Sequence, residues 1–161
     1  MHPNGSAEPL HAVCRWGLLP REWGDRPVLG AGFRCDRAYF LEGARFDSAT
    51  FSGDASFHNA TFSGDAGFDG GEFASRVSFS AARFLRPSPP GTAAPISFRG
   101  WRFGGVAEFD YAQFERRVEF PAAVFARLAS FQAITWPQDA ADGQGMFSQA
   151  VFKDLASFQG A

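Results

Sequence analysis

The chain has 161 residues, which suits one domain with a substantial buried core. Its 15 basic and 17 acidic residues leave a net charge of −2. This balance argues against the clustered positive surface of a nucleic-acid-binding protein, and it is too mild for a strongly acidic imitation of DNA. No run of about 18 apolar residues occurs, so we expect no membrane-spanning helix. The 20 Phe against 2 Tyr indicate a repeat architecture.

Residues 1–30 lack any repeat, and we interpret them as an N-terminal tail and cap. Residues 1–9 are expected to be disordered, and the stretch from Cys14 to Leu29 to cover the open end of the repeat body, because an unpaired strand edge invites pairing with other chains. No signal peptide is evident, so we predict a cytoplasmic protein. The two cysteines, Cys14 and Cys35, have neither a zinc spacing nor a disulfide framework and are predicted to be reduced thiols.

From Ala31 onwards Phe recurs at intervals that mostly alternate between five and six residues, with a small or apolar residue two positions before each. Residues i and i−2 share a face only in an extended strand, so each triplet predicts a short strand whose two ends point inward. The Gly, Asp, Asn and Ser residues between triplets form corners. The predicted inward rings are Phe33, Phe40, Phe46, Phe51, Phe57, Phe62, Phe68, Phe73, Phe79, Phe84, Phe98, Phe103, Phe109, Phe114, Phe120, Phe125, Phe131, Trp136, Phe147, Phe152 and Phe158.

Two other architectures fit the pattern less well. In an α-helix, successive Phe would lie about 140° apart, at about 100° per residue, and would form no stripe. The repeated Gly would also cost about 1 kcal/mol each relative to Ala. A calcium-binding β-roll, suggested by the glycine-rich segment from Gly64 to Gly71, needs a nine-residue period. The period here is 11 residues, so both alternatives are disfavoured.

The alternation of five and six residues also predicts the number of sides in each coil. Sides of equal length must stack on one another to keep the hydrogen bonds between coils in register, so the number of sides is even. Four sides, with 22 residues per coil, is the natural solution. The sequence therefore predicts an all-β solenoid of about five coils, with strand layers about 4.8 Å apart.

At this point the chain resembles the pentapeptide-repeat proteins. The resemblance lies in segments such as residues 49–53 (Ala-Thr-Phe-Ser-Gly) and residues 60–64 (Ala-Thr-Phe-Ser-Gly), and it extends over residues 31–161. It implies a right-handed quadrilateral β-helix with the central Phe and the preceding small residue inside. This chain departs from the family pattern by using Phe where Leu is usual. It also inserts a sixth residue at alternate corners, such as Asp54 and Asp65.

Two interruptions break the register and are predicted to be expanded corners, at residues 85–95 and 137–146. Between Phe84 and Phe98 there are 14 residues where six are expected, and between Trp136 and Phe147 there are 11. The two breaks lie eight sides apart, so in a four-sided coil both loops should emerge from the same edge. Loops on a rigid scaffold often carry function. We therefore predict a partner-binding edge formed by Arg86, Trp136, Asp139, Asp142 and Gln144.

The sequence contains no recognisable catalytic motif, metal-ligand spacing or cofactor fingerprint. His58 is interpreted as a surface residue of a turn. Arg116 and Arg117 are expected to pair with Glu115 and Glu119 rather than with phosphate. We therefore predict no enzymatic activity and no cofactor.

These observations favour a non-catalytic scaffold that binds an unidentified protein partner. The resemblance supplies an alternative, because some pentapeptide-repeat proteins imitate duplex DNA and inhibit DNA gyrase. Direct binding of nucleic acid is not expected. The repeat reaches Phe158 without a cap, which predicts either an end-to-end homodimer through the open last coil or a longer protein.

Overall fold

The computed structural model describes residues 28–30, 32–40, 44–64, 66–86, 95–137 and 146–161. Within these ranges the chain forms 20 strands of two residues each and no helix. The strands form four sheets in which neighbouring strands are parallel. The prediction of an all-β solenoid is confirmed.

Each sheet is one face of the solenoid. The first face contains β1 (Val28–Leu29), β5 (Thr50–Phe51), β9 (Glu72–Phe73), β13 (Arg102–Phe103), β17 (Val124–Phe125) and β19 (Val151–Phe152). The second contains β2 (Phe33–Arg34), β6 (Ala55–Ser56), β10 (Val77–Ser78), β14 (Ala107–Glu108), β18 (Ala129–Ser130) and β20 (Ala156–Ser157). The third contains β3 (Tyr39–Phe40), β7 (Thr61–Phe62), β11 (Arg83–Phe84) and β15 (Gln113–Phe114). The fourth contains β4 (Ala44–Arg45), β8 (Ala66–Gly67), β12 (Ile96–Ser97) and β16 (Val118–Glu119).

Consecutive strands lie on consecutive faces, so the chain completes one coil every four strands. The first coil is β1–β4, the second β5–β8, the third β9–β12 and the fourth β13–β16. In the fifth coil, β17 and β18 are followed by a bridge between Gln113 and Thr135 on the third face. Strands β19 and β20 then begin a sixth coil. The predicted quadrilateral β-helix of about five coils is confirmed.

The interior is a set of stacked phenyl ladders, one for each face. On the third face, Phe62 stacks between Phe40 and Phe84, with ring centroids 4.6 and 4.8 Å apart and the rings nearly parallel. Rings of different faces meet edge to face, as Phe57 and Phe68 do at an interplanar angle of 87°. Both geometries suit the quadrupole of the aromatic ring. The predicted inward rings from Phe40 to Phe131 are buried.

The first coil departs from the prediction at Phe33. Phe33 pairs in register with Ala55, so it occupies the small position, and the next inward place belongs to Cys35. The spacing explains this, because Cys35 lies five residues before Phe40 and six after Leu29, which pairs with Phe51. The register of the hydrogen bonds to the second coil therefore decides which residue points inward. The Phe33 ring fills the space beside the short Cys35 side chain, 5.5 Å from the Phe57 ring.

Cys35 is disulfide-bonded and buried, with 1% of its surface exposed. The prediction of a reduced thiol is therefore wrong for this residue.

Trp101 is the one large residue in a small position, and Gly71 explains how it fits. Both lie two residues before paired inward rings of the first face, Phe73 and Phe103. A Cβ atom on Gly71 would lie 2.2 Å from Cη2 of Trp101, so only glycine leaves room for the indole. The Trp101 side chain is fully buried.

The four corners of each coil are of two kinds. The short corners, with five residues between inward positions, join the second face to the third and the fourth to the first. Each has a residue with positive φ two positions after the inward residue, as at the third position of a type II turn. These residues are Arg37, Ser48, Asn59, Gly70, Ala81, Gly100, Tyr111, Ala122, Ala133, Gln149 and Gly160. The long corners join the first face to the second and the third to the fourth, and among their described residues only Gly32 has positive φ.

Candidate functional site

Both interruptions of the repeat begin on the third face and end on the fourth. The first lies between β11 and β12, in the third coil. The second lies between Thr135, which bridges to Gln113 on the third face, and Phe147, whose ring stacks on Phe120 of the fourth face at 5.0 Å. Residues 87–94 and 138–145 lie outside the described residues. We call this corner of the solenoid, flanked by residues 84–86, 95–98, 135–137 and 146–147, the third–fourth edge.

Arg86 is exposed at the start of the first interruption, and Glu115 of the next coil holds its backbone and side chain. The Arg86 N–H donates to Oε2 of Glu115 at 3.4 Å, and its Nε donates to the Glu115 carbonyl oxygen at 3.2 Å. Arg83 approaches the same carboxylate at 3.9 Å. The chain is therefore anchored to the fourth coil at the point where it leaves the solenoid.

Trp136 lies at the base of the second interruption and points inward. Its ring stacks on Phe114 with centroids 5.2 Å apart, at the end of the third-face ladder, and it remains partly exposed. Trp136 and Arg86 share an edge but lie two coils apart. The other three residues of the predicted site, Asp139, Asp142 and Gln144, lie outside the described residues.

A small pocket of about 200 Å³ lies on the fourth face beside this edge. Pro95 and Ser97 line it where the chain returns from the first interruption, together with Arg116, which is only 6% exposed. The burial of Arg116 has no signal in the sequence, because its position in a long corner is normally exposed. Arg117 pairs with Glu119 at 2.6 Å, so the predicted pairing of these two residues is confirmed.

A wider groove of about 310 Å³ crosses the second face over the first three coils. Its floor consists of small residues such as Ser56 and Ser78, and charged side chains form its walls. Asp36 accepts hydrogen bonds from the Ser56 hydroxyl and from Nη2 of Arg34, the latter at 2.8 Å. Partial burial raises the pKa of Asp36, but the bonds from Ser56, Arg34 and the His58 N–H outweigh it and hold the pKa below its ordinary value.

The other wall of the groove is also internally satisfied. The Ser75 hydroxyl donates to Asp54 at 2.7 Å, and the Arg76 N–H donates to the same oxygen at 3.2 Å. These two bonds lower the pKa of Asp54. The Arg76 guanidinium is bidentate on Glu108, at 2.7 and 2.8 Å, which raises the pKa of Arg76.

The groove has no nucleophile and base in a catalytic arrangement. The Ser56 hydroxyl donates to Asp36, and the exposed His58 ring lies 3.1 Å from the amide of its neighbour Asn59. In the part of the chain that the structure describes, no three His, Cys, Asp or Glu residues lie close enough together to hold a metal ion. Over the same ranges no helix has the length and apolar character needed to cross a membrane.

The charged side chains of the described surface are largely arranged as ion pairs. Asp54 lies at a long corner beside the second face and Asp69 on the fourth face, so these two residues do not form a common acidic strip. The ion pairs are Arg34–Asp36, Arg45–Asp47, Arg76–Glu108, Arg83–Glu115, Arg102–Glu72 and Arg117–Glu119.

Comparison with known proteins identifies the repeat. Residues 36–86 match the family model described as "Pentapeptide repeats (9 copies)". The matched region runs from the first coil to the start of the first interruption, and the same coil geometry continues beyond it to β20. No curated protein and no solved structure matches the chain.

Proposed function

Since residues 36–86 belong to the pentapeptide-repeat family, we propose that this chain is a non-catalytic scaffold that binds a protein partner at its third–fourth edge. The observation that carries the proposal is the position of the two interruptions. Long corners occur twice in every coil, yet both expansions flank the same edge, in the third and the fifth coil. Two strand layers separate them, a distance of about 10 Å.

The scaffold beneath this edge is well suited to present two loops at a fixed separation. The Phe98–Phe120 and Phe120–Phe147 ring pairs, with centroids 4.9 and 5.0 Å apart, join the three coils involved on the fourth face. On the third face, Trp136 continues the ladder from Phe114. Because packed rings resist displacement, the loop ends are fixed before a partner binds, which reduces the entropic cost of association.

The residues of the proposed contact differ in role. Arg86 offers an exposed guanidinium at the first expansion, and arginine is enriched among residues that dominate binding energy. Asp139, Asp142 and Gln144 supply carboxylate and amide groups in the second expansion. Trp136 acts as the anchor of that expansion through its stacking on Phe114. The contact chemistry favours a polar protein surface that carries both acidic and basic groups.

The experiment uses two deletions that restore the normal six-residue spacing. Deleting residues 87–94 removes the excess at the first expansion, and deleting residues 139–143 removes it at the second. Each deletion should abolish capture of the partner found with the full chain, while circular dichroism and the melting temperature stay unchanged. Arg34→Ala, on the second face, is the matched control and should bind normally. Folded deletion variants that retain full binding would overturn the proposal.

The alternative of a DNA-mimic inhibitor or modulator of DNA gyrase finds little support in the described surface. Mimicry requires a dense negative surface, whereas carboxylates such as Asp47 and Glu108 are neutralised by arginines at 2.6 and 2.7 Å. A gyrase supercoiling assay tests this directly. Inhibition at stoichiometric concentration would favour the mimic over the scaffold.

A second copy of the chain is a further proposed partner, at the other end of the ladder system. Strands β19 and β20 each pair on one side only, with β17 and β18, and Phe158 is 42% exposed. End-to-end mating of two copies would cover these rings and edges. Light scattering should then give a monodisperse dimer that Phe158→Glu converts to a monomer. A monomeric or polydisperse parent would contradict it.

A further inference from the structure

Cys35 is a buried sulfur at a position that other coils fill with a phenyl ring. Its N–H donates to the Ser56 carbonyl at 2.7 Å, just as Phe57 N–H donates to Ser78 and Phe79 N–H to Glu108. The residue is disulfide-bonded, and the described ranges contain no second cysteine. The disulfide therefore joins the first coil to a part of the chain outside those ranges, or to another molecule.

The chain has two cysteines, so one intramolecular partner exists. We propose that Cys35 is joined to Cys14 and that this bond is a redox-sensitive tether between the N-terminal segment and the first coil. Its reduction by a dithiol transfers two electrons and two protons to the bond. Two cysteine thiols form, and the dithiol becomes a disulfide. Reoxidation requires a disulfide-exchange oxidant that accepts the same electrons and protons.

The first coil is the place where such a tether has an effect. Among the described residues, β1 to β4 pair only with β5 to β8 of the second coil, so their outer edges have no partner strand. Unpaired edges are sites of unwanted association. A covalent link from this coil restricts the N-terminal segment to its neighbourhood, and closing a chain loop in this way stabilises the folded state.

The core of the first coil does not depend on the bond. The Phe33 ring packs 5.0 Å from Phe51 and 5.5 Å from Phe57, and it fills the space that a phenyl ring would occupy at Cys35. A reduced Cys35 would remain as a small apolar side chain in this setting. Reduction therefore releases the tether without opening a cavity, which is the behaviour of a switch. In the reducing cytoplasm that the sequence favours, the tether would be open, and in an oxidising compartment it would be closed.

Counting thiols in the whole chain tests the bond itself. Protein purified without reductant and denatured should contain no free thiol, run as a monomer on non-reducing electrophoresis, and yield a digest peptide pair that contains both cysteines. Two free thiols, or a disulfide-linked dimer, would overturn the proposal.

Hydrogen exchange tests the switch. On reduction, the amides of Cys35 and Arg37 should exchange at least tenfold faster, while those of Phe109 and Tyr111, at equivalent places in the fourth coil, should not change. The melting temperature should fall by about 5–10 °C. Cys14→Ser should behave like the reduced parent and ignore reductant, and Ser6→Ala is the matched control that keeps the response. Equal exchange rates before and after reduction would exclude a tether.

Discussion

The short and the long corners connect the same kind of strand over the same core, but they are built differently. In the short corner after Phe79, the Ala82 N–H donates back to the Phe79 carbonyl at 3.0 Å, and the Ala81 N–H donates to Asp110 in the next coil at 2.8 Å. In the long corner after Phe103, the N–H groups of Gly105 and Val106 donate to no backbone carbonyl of the described residues. The extra residue of the long corner thus lies outside the hydrogen-bond ladder.

This difference explains where the chain accepts insertions. A residue added to a short corner would break a turn bond and a bond between coils, and it would displace the left-handed residue from its place. A residue added to a long corner breaks neither and costs mainly the entropy of a longer loop. Both interruptions of the repeat flank long corners.

The largest expected effects test whether both kinds of corner rest on one shared core. Phe62 precedes a long corner and Phe120 a short one, and both rings are buried between stacked neighbours. Phe62→Ala and Phe120→Ala should each lower the free energy of unfolding by about 3–5 kcal/mol, measured by urea denaturation. Phe158→Ala, at the exposed end, is the control and should cost about 1 kcal/mol. Unequal costs at the first two sites would show that the corners contribute to core packing.

The next effect concerns insertion itself. A second copy of residues 87–94 placed after Ala81, in a short corner, should cost about 2–3 kcal/mol because at least two hydrogen bonds are lost. The same segment placed after Gly105, in a long corner, should cost about 1 kcal/mol. Urea denaturation of the two variants measures the difference. Equal costs would contradict the distinction between the corners.

A smaller effect should appear at the left-handed residues. Ala122 has a φ of 56°, which strains an L-residue but not glycine. Ala122→Gly should therefore raise the free energy of unfolding by up to about 1 kcal/mol, after the entropic cost of glycine in the unfolded chain. Ala126→Gly, in a long corner, should lower it by about 0.5–1 kcal/mol. Thermal melts of both variants measure the contrast, and a loss of stability in Ala122→Gly would argue against the turn geometry.

The smallest effect is pH dependence. The pKa of Asp36, in a short corner, and that of Asp54, in a long corner, are both lowered in the folded state. Each carboxylate therefore stabilises the fold above its unfolded pKa of about 3.9, and this contribution is lost as the pH falls through the folded pKa. Asp36→Asn should destabilise the protein at pH 7 and approach the parent in acid. Asp54→Asn should act in the same direction but less, because Asp54 is exposed and screened. A difference from the parent that does not change with pH would exclude titration as its cause.

The parity of the spacing was sufficient to predict the coil, because a strictly alternating repeat admits few ways of stacking. The same argument placed both interruptions at long corners, but it treated every Phe as an inward ring. Phe33 violates that assumption because the backbone register, and not the identity of the side chain, sets the inward position. The Gly71–Trp101 pair and the disulfide of Cys35 depend on contacts between residues distant in sequence. A repeat pattern carries no record of such contacts.

Backbone amide hydrogen exchange, measured residue by residue, tests the two kinds of corner most directly. The structure predicts slow exchange at short-corner amides that donate between coils, such as Ser48, Asn59, Ala81, Tyr111 and Ala122. It predicts fast exchange in the long corners at residues 53–54, 105–106 and 127–128. Protection that recurs with the 11-residue period would support the account. Uniform protection through both kinds of corner, or fast exchange at the left-handed residues, would contradict it.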